Sequence, residues 1–186
     1  MQTVYTIGHS TRPIEQFIEL LKEQEVKRLL DIRTVPKSRH NPQFGQDALA
    51  GALAQAGIEY RYIGALGGLR RARKDSTNDG WRNQSFRGYA DHMQQIDFNA
   101  AVDDVARMAG TTPCALMCAE AVPWRCHRSL VADALLVRGI RVEHIINPGK
   151  TRPHVLTPFA QVAGRSITYP APAAPAAGTA DASLHG

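Results

Sequence analysis

The sequence predicts a three-layer α/β domain, a mostly parallel sheet of about five strands flanked by helices. Three observations carry this expectation. Short β-branched or apolar runs alternate with longer amphipathic runs through about residue 146. The connections between successive runs are long enough for the crossovers that parallel strands require. Cys114-Ala115-Leu116-Met117-Cys118 is apolar at every position, as a central strand covered on both faces should be.

Taken in order, Thr3 to Ile7 is β-branched and aromatic and reads as the first buried strand. Gly8-His9-Ser10-Thr11 turns the chain, with Ser10 or Thr11 placed to cap the next helix. Ile14, Phe17, Ile18 and Leu21 fall at i, i+3, i+4 and i+7, the stripe of a helix lying on a sheet. Arg28 to Ile32 is a second strand, and the prolines of 36–42 mark a loop. A second helix spans about 46–56 with Gly57 as its stop, and 58–63 is a third strand. Residues 64–84 lack periodicity and form a basic loop or lid. Helix resumes from Phe86 to Ala109, with a break expected near Asp97. The apolar 114–118 strand follows, then a helix carrying Leu130, Val131, Ala134 and Leu135 that Gly139 ends, and a last strand at 141–145. One domain is therefore expected over 1–168, and the Pro/Ala-rich stretch 169–186 is expected to be a disordered tail.

Composition narrows the class. The chain is 44% apolar and 21% charged, ordinary for a globular domain. No apolar run reaches the roughly 18–20 residues that span a bilayer, and the start lacks the basic and apolar regions of a signal peptide. No membrane association is expected. Three cysteines argue against a disulfide framework, so a cytoplasmic setting is expected. The net charge of +5 resides in one stretch. Residues 61–87 hold seven basic side chains against Asp75 and Asp79. Such a patch suits a small anion or nucleic acid, and equally a solvated basic loop.

In an open parallel sheet, ligands bind beyond the carboxyl ends of the strands. Three predicted strands end there in polar residues: Gly8-His9-Ser10, Asp31-x-Arg33 and Cys118-x-Glu120. Parallel pairing puts all three on one rim. The purely structural alternative has Ser10 capping a helix and the Asp31–Arg33 segment ion-paired to Arg39 or Arg128.

The richest stretch is Cys118 to Ser129, a strand end, a loop and a helix start. A helix N-terminus carries free N–H groups that attract anions and depress thiol pKa values. Arg125 and Arg128 would strengthen both effects. A Cys-x5-Arg phosphate loop does not fit, because six residues separate Cys118 from Arg125 and Trp124 stands at the required position. Metal ligation by Cys118, Cys126 and His127 is the second arrangement, although seven residues part the cysteines and zinc ligands usually come two to four apart. Either thiol alone also fits a core position, and Cys114 is assigned to the core. Glu120 and His127 could divide acid–base work, or Glu120 could pair with Arg128 or Arg33. Trp124 and Tyr89 suit stacking on a base or packing.

Thr6-Ile-Gly-His-Ser10, Asp31-x-Arg33-x-x-Pro36-x-Ser38-Arg39, and Cys118-Ala-Glu120 with Cys126-His127-Arg128 resemble the domain-of-unknown-function 488 family. Tyr62-Ile-Gly-Ala-Leu-Gly-Gly68 and Phe86-Arg-Gly-Tyr-Ala90 resemble its middle segments. The resemblance runs from about residue 3 to 146 and implies an α/β fold with one site, and no established activity. The expectation from the residues is an enzyme for a phosphate-bearing or nucleotide-like substrate. Cys118, Glu120, Cys126 and His127 would be catalytic, and Gly8, His9, Ser10, Asp31, Arg33, Ser38, Arg39 and Arg128 would hold substrate. Two alternatives stand beside it: a nucleotide or nucleic-acid binding module using 61–87, and a metal protein using Cys118, Cys126 and His127. Cofactor, oligomeric state and the Cys118–Cys126 separation are left open.

Overall fold

The computed structural model describes residues 2–174. Its sheet has six strands: β1 (Thr3–Gly8), β2 (Arg28–Asp31), β3 (Glu59–Tyr62), β4 (Cys114–Cys118), β5 (Arg141–Asn147) and β6 (Lys150–Pro153). They lie in the order β3-β2-β4-β1-β5-β6. The first five are mutually parallel, and β6 folds back antiparallel on β5. The helices are α1 (Ile14–Glu23), α2 (Gln46–Gln55), α3 (Gln84–His92), α4 (Ile96–Ala109) and α5 (Arg128–Leu136).

Strand alternation divides the core into two layers. Ile7, Leu29, Ala115 and Met117 face α1 and α2, whose Phe17, Leu20, Leu21, Leu49 and Leu53 cover them. Val4, Leu30, Cys114, Leu116 and Cys118 face the opposite layer, packed by Tyr89, Phe98, Val102, Leu130 and Leu135 of α3, α4 and α5. The expected three-layer fold is the one observed, with β4 buried at every position. The helix over 86–109 is broken as expected, at residues 93–95.

Several details depart from sequence. Pro13, not Ser10 or Thr11, is the N-cap of α1, and no side chain caps it. Ser10 instead adopts a left-handed conformation (φ 48°) and donates its N–H to Ala119 O. The edge strand β6 is exposed throughout, so its residues lack the alternation that signals a half-buried strand. A two-stranded hairpin, β7 (Gln161–Ala163) with β8 (Ser166–Thr168), turns at Gly164 (φ 63°). Tyr169, counted with the tail from sequence, is fully buried; its hydroxyl donates to Asp133 Oδ2 at 2.8 Å and its N–H to Asn78 Oδ1 at 2.9 Å. Residues 175–186 of the expected tail lie outside the described residues.

The 67–83 segment is irregular but tied down. Buried Asp91 accepts from Arg73 N, Ser76 Oγ and Asn78 Nδ2 at 2.6–2.8 Å. Arg70 turns inward to the carbonyls of Gly64, Ala65 and Gly67. A loop whose polar groups reach buried acceptors keeps one path across the sheet edge. Among the described residues no helix is long and apolar enough to cross a membrane.

Candidate functional site

The strand order decides where the site lies. The chain leaves β1 through α1 on one face and leaves β4 through α5 on the other, yet β1 and β4 are neighbours. Adjacent strands whose connections diverge to opposite faces open a crevice at their carboxyl ends. Gly8 permits the two chains to close at its base, where His9 N–H donates to Cys118 O and Ser10 N–H to Ala119 O, each at 2.9 Å. The three polar strand ends therefore meet on one rim, β2 on one side of β4 and β1 on the other.

Within it, Cys118 and Cys126 are neighbours. Their sulfurs lie 2.6 Å apart, although seven residues separate them in sequence. The loop between them is folded by a short 3-10 turn, Pro123–Arg125, and held by Arg128. Arg128 rises from the first turn of α5, is 1% exposed, and forks across three acceptors: Cys118 Sγ at 2.8 Å, Glu120 O at 2.6 Å and Ala121 O at 2.9 Å. Burial on its own pushes the Cys118 thiol up. The hydrogen bond from Cys126 and the Arg128 charge overcome that, and the thiol is held down to about 7. Cys126 is pushed upward, first by burial and then by the sulfur beside it. One thiol of the pair is thus poised to ionise while the other keeps its proton.

His127 faces the same loop. Its Nε2–H donates to Ile32 O at 2.9 Å, which leaves Nδ1 as an acceptor 3.5 Å from Cys126 Sγ. Burial lowers this histidine to about 4, reinforced by Arg128 and Arg70, so it is neutral near pH 7. The backbone at Gly68 packs on the ring so closely that a Cβ there would meet Nδ1 at 2.5 Å.

An open cleft of about 380 Å³ lies over the two sulfurs. Arg33, Thr34, Val35 and Lys37 line it from the β2 side; Gly68, Leu69, Ser85 and Phe86 from the irregular segment and α3; and Glu120, Arg125 and His127 from the cysteine loop. Of the residues singled out from sequence, Cys118, Glu120, Cys126, His127 and Arg33 reach it. Glu120 is exposed, and its carboxylate makes no hydrogen bond among the described residues; only its backbone carbonyl meets Arg128. Asp31 pairs with neither Arg39 nor Arg128, but with Arg33 two residues on, at 2.9 and 2.6 Å. Arg33 spends its remaining Nη1 on Phe44 O, with His9 Nε2 at 3.5 Å. Two of the three arginines expected to hold substrate, Arg33 and Arg128, therefore direct their charge inward. The exposed cations on the cleft are Lys37 and Arg125. Ser38 accepts from Asn41 N, Arg39 is exposed, and neither lines the cleft. Tyr89 is buried with its hydroxyl on Leu66 O, and Trp124 stacks beneath Arg152 at 5.0 Å beside a different cleft.

The basic stretch 61–87 is partly compensated, Arg61 by Glu59, Arg73 by Asp75, and Arg87 by the Trp81 and Asp79 carbonyls. Cys114 lies at the far end of β4, buried, with its thiol on Thr112 O. Among the described residues no group of three or more His, Cys, Asp or Glu side chains is arranged to hold a metal ion.

A further polar chain went unnoticed in the sequence. Asp133 in α5 accepts from His154 Nε2, Thr157 N, Thr157 Oγ1 and Tyr169 OH. His154 Nδ1 lies 3.0 Å from His144 Nε2, and His144 Nδ1 lies 2.6 Å from Thr6 Oγ1. A carboxylate at one end orders the protons: each ring donates from Nε2, and Thr6 donates to His144. Cys118, Arg128, His144, His154 and Asp133 together make a buried polar and charged cluster beneath the rim. A signal existed for one of them, since Asp133 is the single polar residue of the run Leu130 to Leu136.

The buried histidines set an acid limit. Burial lowers His144 to about 3, and His154 and Arg128 add to the effect. Both His144 and His127 stay neutral in the fold, whereas their unfolded counterparts take up protons below about 6.5. Stability should be full above pH 6.5 and fall as pH drops from there toward 4. Over that range the uptake of protons by each unfolded histidine costs at most about 3 kcal/mol of stability. Denaturant midpoints between pH 7 and 4.5 check this, and His144→Gln should flatten the slope.

Fold and site together define a doubly wound α/β protein with a cysteine-centred cleft at its carboxyl edge. Residues 13–135 match the family model described as Domain of unknown function DUF488, and the chain belongs to that family. The matched range includes the Asp31–Arg33 and Cys118–Arg128 segments. No curated protein and no solved structure matches the chain.

Proposed function

We propose that the protein is a cysteine-dependent enzyme acting on a small phosphate-bearing or nucleotide-like substrate in the carboxyl-edge cleft. The observation that carries this reading is the Arg128 Nη1–H directed at Cys118 Sγ, 2.8 Å away, at the base of an open cleft. A buried guanidinium bonded to a sulfur favours the thiolate, the nucleophilic form of cysteine. Cys118 is then the attacking atom. Lys37 and Arg125 draw the anion, and Val35, Leu69 and Phe86 give the organic part of the substrate an apolar wall. Glu120, exposed and uncommitted at the lip, is the proton carrier. Arg33 and Arg128 act through position and charge, most of their donors being given to Asp31, Phe44 O, Cys118 and the 120–121 carbonyls; the buried Arg128 Nε lacks a partner among the described residues.

Iodoacetamide labelling of the reduced protein tests this. Cys118 should label with a pH midpoint near 7, Cys114 should label only on unfolding, and inorganic phosphate or adenosine monophosphate should slow labelling at Cys118. A midpoint at the ordinary thiol value, or indifference to every phosphate compound, would count against the reading. Protection by oligonucleotides alone, lost when exposed Arg71, Lys74 and Arg82 are replaced, would transfer it to nucleic-acid binding through 61–87.

A further inference from the structure

We infer that Cys118 and Cys126 form a reversible dithiol–disulfide couple, in which Cys126 resolves a mixed disulfide made by Cys118 with a small organic disulfide. This rests on the proposed role of Cys118 as the attacking thiolate, and adds a second reactive thiol and a class of electron acceptor.

Four features converge on it. The two sulfurs already lie 2.6 Å apart, so bonding needs a closure of well under an ångström rather than a rearrangement of the loop. The two thiols are unlike: Arg128 donates to Cys118 alone, so Cys118 attacks first and Cys126 keeps its proton for the second step. The proton of Cys126 has an acceptor, because the Nε2–H of His127 is committed to Ile32 O and its Nδ1 lone pair lies 3.5 Å from Cys126 Sγ. Both sulfurs line the open cleft, which gives an incoming disulfide a path to Cys118. Cys114 cannot substitute, since it sits four residues back along β4, roughly 13 Å away at the opposite edge.

The steps balance. Cys118 S⁻ attacks one sulfur of the disulfide RSSR; a Cys118–SR bond forms, the S–S bond of the reagent breaks, and RS⁻ leaves. Cys126 then gives its proton to His127 Nδ1, and thence to water. Its sulfur attacks Cys118 Sγ, the Cys118–SR bond breaks, and a second RS⁻ leaves. Two protein thiols are oxidised by two electrons, one RSSR is reduced to two RS⁻, and each thiolate takes up a proton to the extent that pH dictates. A reducing thiol runs the sequence backward. In the disulfide form Arg128 loses the charge it now opposes, and the nucleophile of the proposed enzyme is blocked.

Glutathione disulfide is a suitable probe, with the reduced protein held free of oxygen and mapped by peptide mass spectrometry. The free-thiol count of the wild-type chain should fall from three to one, with a Cys118–Cys126 peptide that dithiothreitol cleaves and Cys114 left free. Cys126→Ser should stop at a stable glutathione adduct on Cys118, and Cys118→Ser should yield neither adduct nor disulfide. A wild-type chain that halts at a glutathione adduct on Cys118, with Cys126 free, overturns the couple but leaves the nucleophile standing. A bond involving Cys114 also overturns it. If Cys118 reacts with neither glutathione disulfide nor iodoacetamide, both readings fall. Mapping of the unmutated protein decides among these outcomes even where a variant fails to fold.

Discussion

Replacement of Arg128 by methionine should raise the midpoint for Cys118 labelling by up to about two pH units and weaken the fold. The guanidinium opposes the burial that otherwise pushes Cys118 upward. Methionine fills similar space but offers no charge and no donor. At pH 7 a thiol returned to its ordinary value is about fifty-fold less ionised, and the greater intrinsic reactivity of a more basic thiolate recovers part of that, leaving a rate loss of roughly tenfold. The carbonyls of Glu120 and Ala121 lose their donor in the same step. Each buried acceptor left unsatisfied costs about 1–3 kcal/mol, so denaturant unfolding should show a loss of about 2–6 kcal/mol for the two. Arg128→Lys should rescue little, because an ammonium cannot fork across three acceptors in one plane. An unchanged labelling profile in the methionine variant would remove Arg128 from the account of the thiol.

Gly8→Ala should be the most damaging single methyl addition at the site. A Cβ at Gly8 would fall 2.0 Å from Glu120 O and 2.7 Å from its carbonyl carbon. Those are backbone atoms, so no side-chain rotation relieves the overlap and the 119–122 loop must move. Overpacking of this kind costs about 3 kcal/mol or more, equivalent to a fall in Tm of roughly 6–12 °C for a chain of this length. The displaced loop carries Glu120 and ties Cys118 to Cys126, so labelling of Cys118 should lose its low midpoint as well. Gly51→Ala supplies the contrast. Gly51 lies on the exposed face of α2 with nothing within 4 Å of its Cβ position, and alanine there should stabilise the helix by about 0.5–1 kcal/mol. Thermal unfolding of the two variants side by side checks both expectations.

Much of the site was legible before the fold was known, because the chemistry of parallel sheets puts strand ends on one rim whatever the strand order. Polar residues following Ile7, Leu30 and Met117 marked that rim, and Cys118, Glu120, Cys126, His127 and Arg33 do line one cleft. The roles of the arginines were not legible. A guanidinium read in sequence is a free cation; whether it faces a ligand or a carbonyl depends on what surrounds it. Arg33 meets Asp31 and Phe44 O, and Arg128 meets a sulfur and two carbonyls, so both are spent on the protein. Leu69 and Phe86 had no signal as cleft walls, since they lie in or beside a stretch without periodicity.

Local pattern by itself determined the alternation of strands and helices, the doubly covered β4, the break between α3 and α4, and the loop in which the reactive residues gather. These follow from spacing along the chain: apolar residues repeat with the period of the element that must bury them. Tertiary structure alone decided that Cys118 and Cys126 touch, that Arg128 sets one thiol apart from the other, and that Asp133, His154, His144 and Thr6 form one chain from elements far apart in sequence. It also recruited Tyr169, whose ring and hydroxyl find their partners across the α5 layer. Hydrogen bonds reach over about 3 Å, and it is the pairing of β5 between β1 and β6, beside α5, that brings Thr6, His144, His154 and Asp133 within that reach.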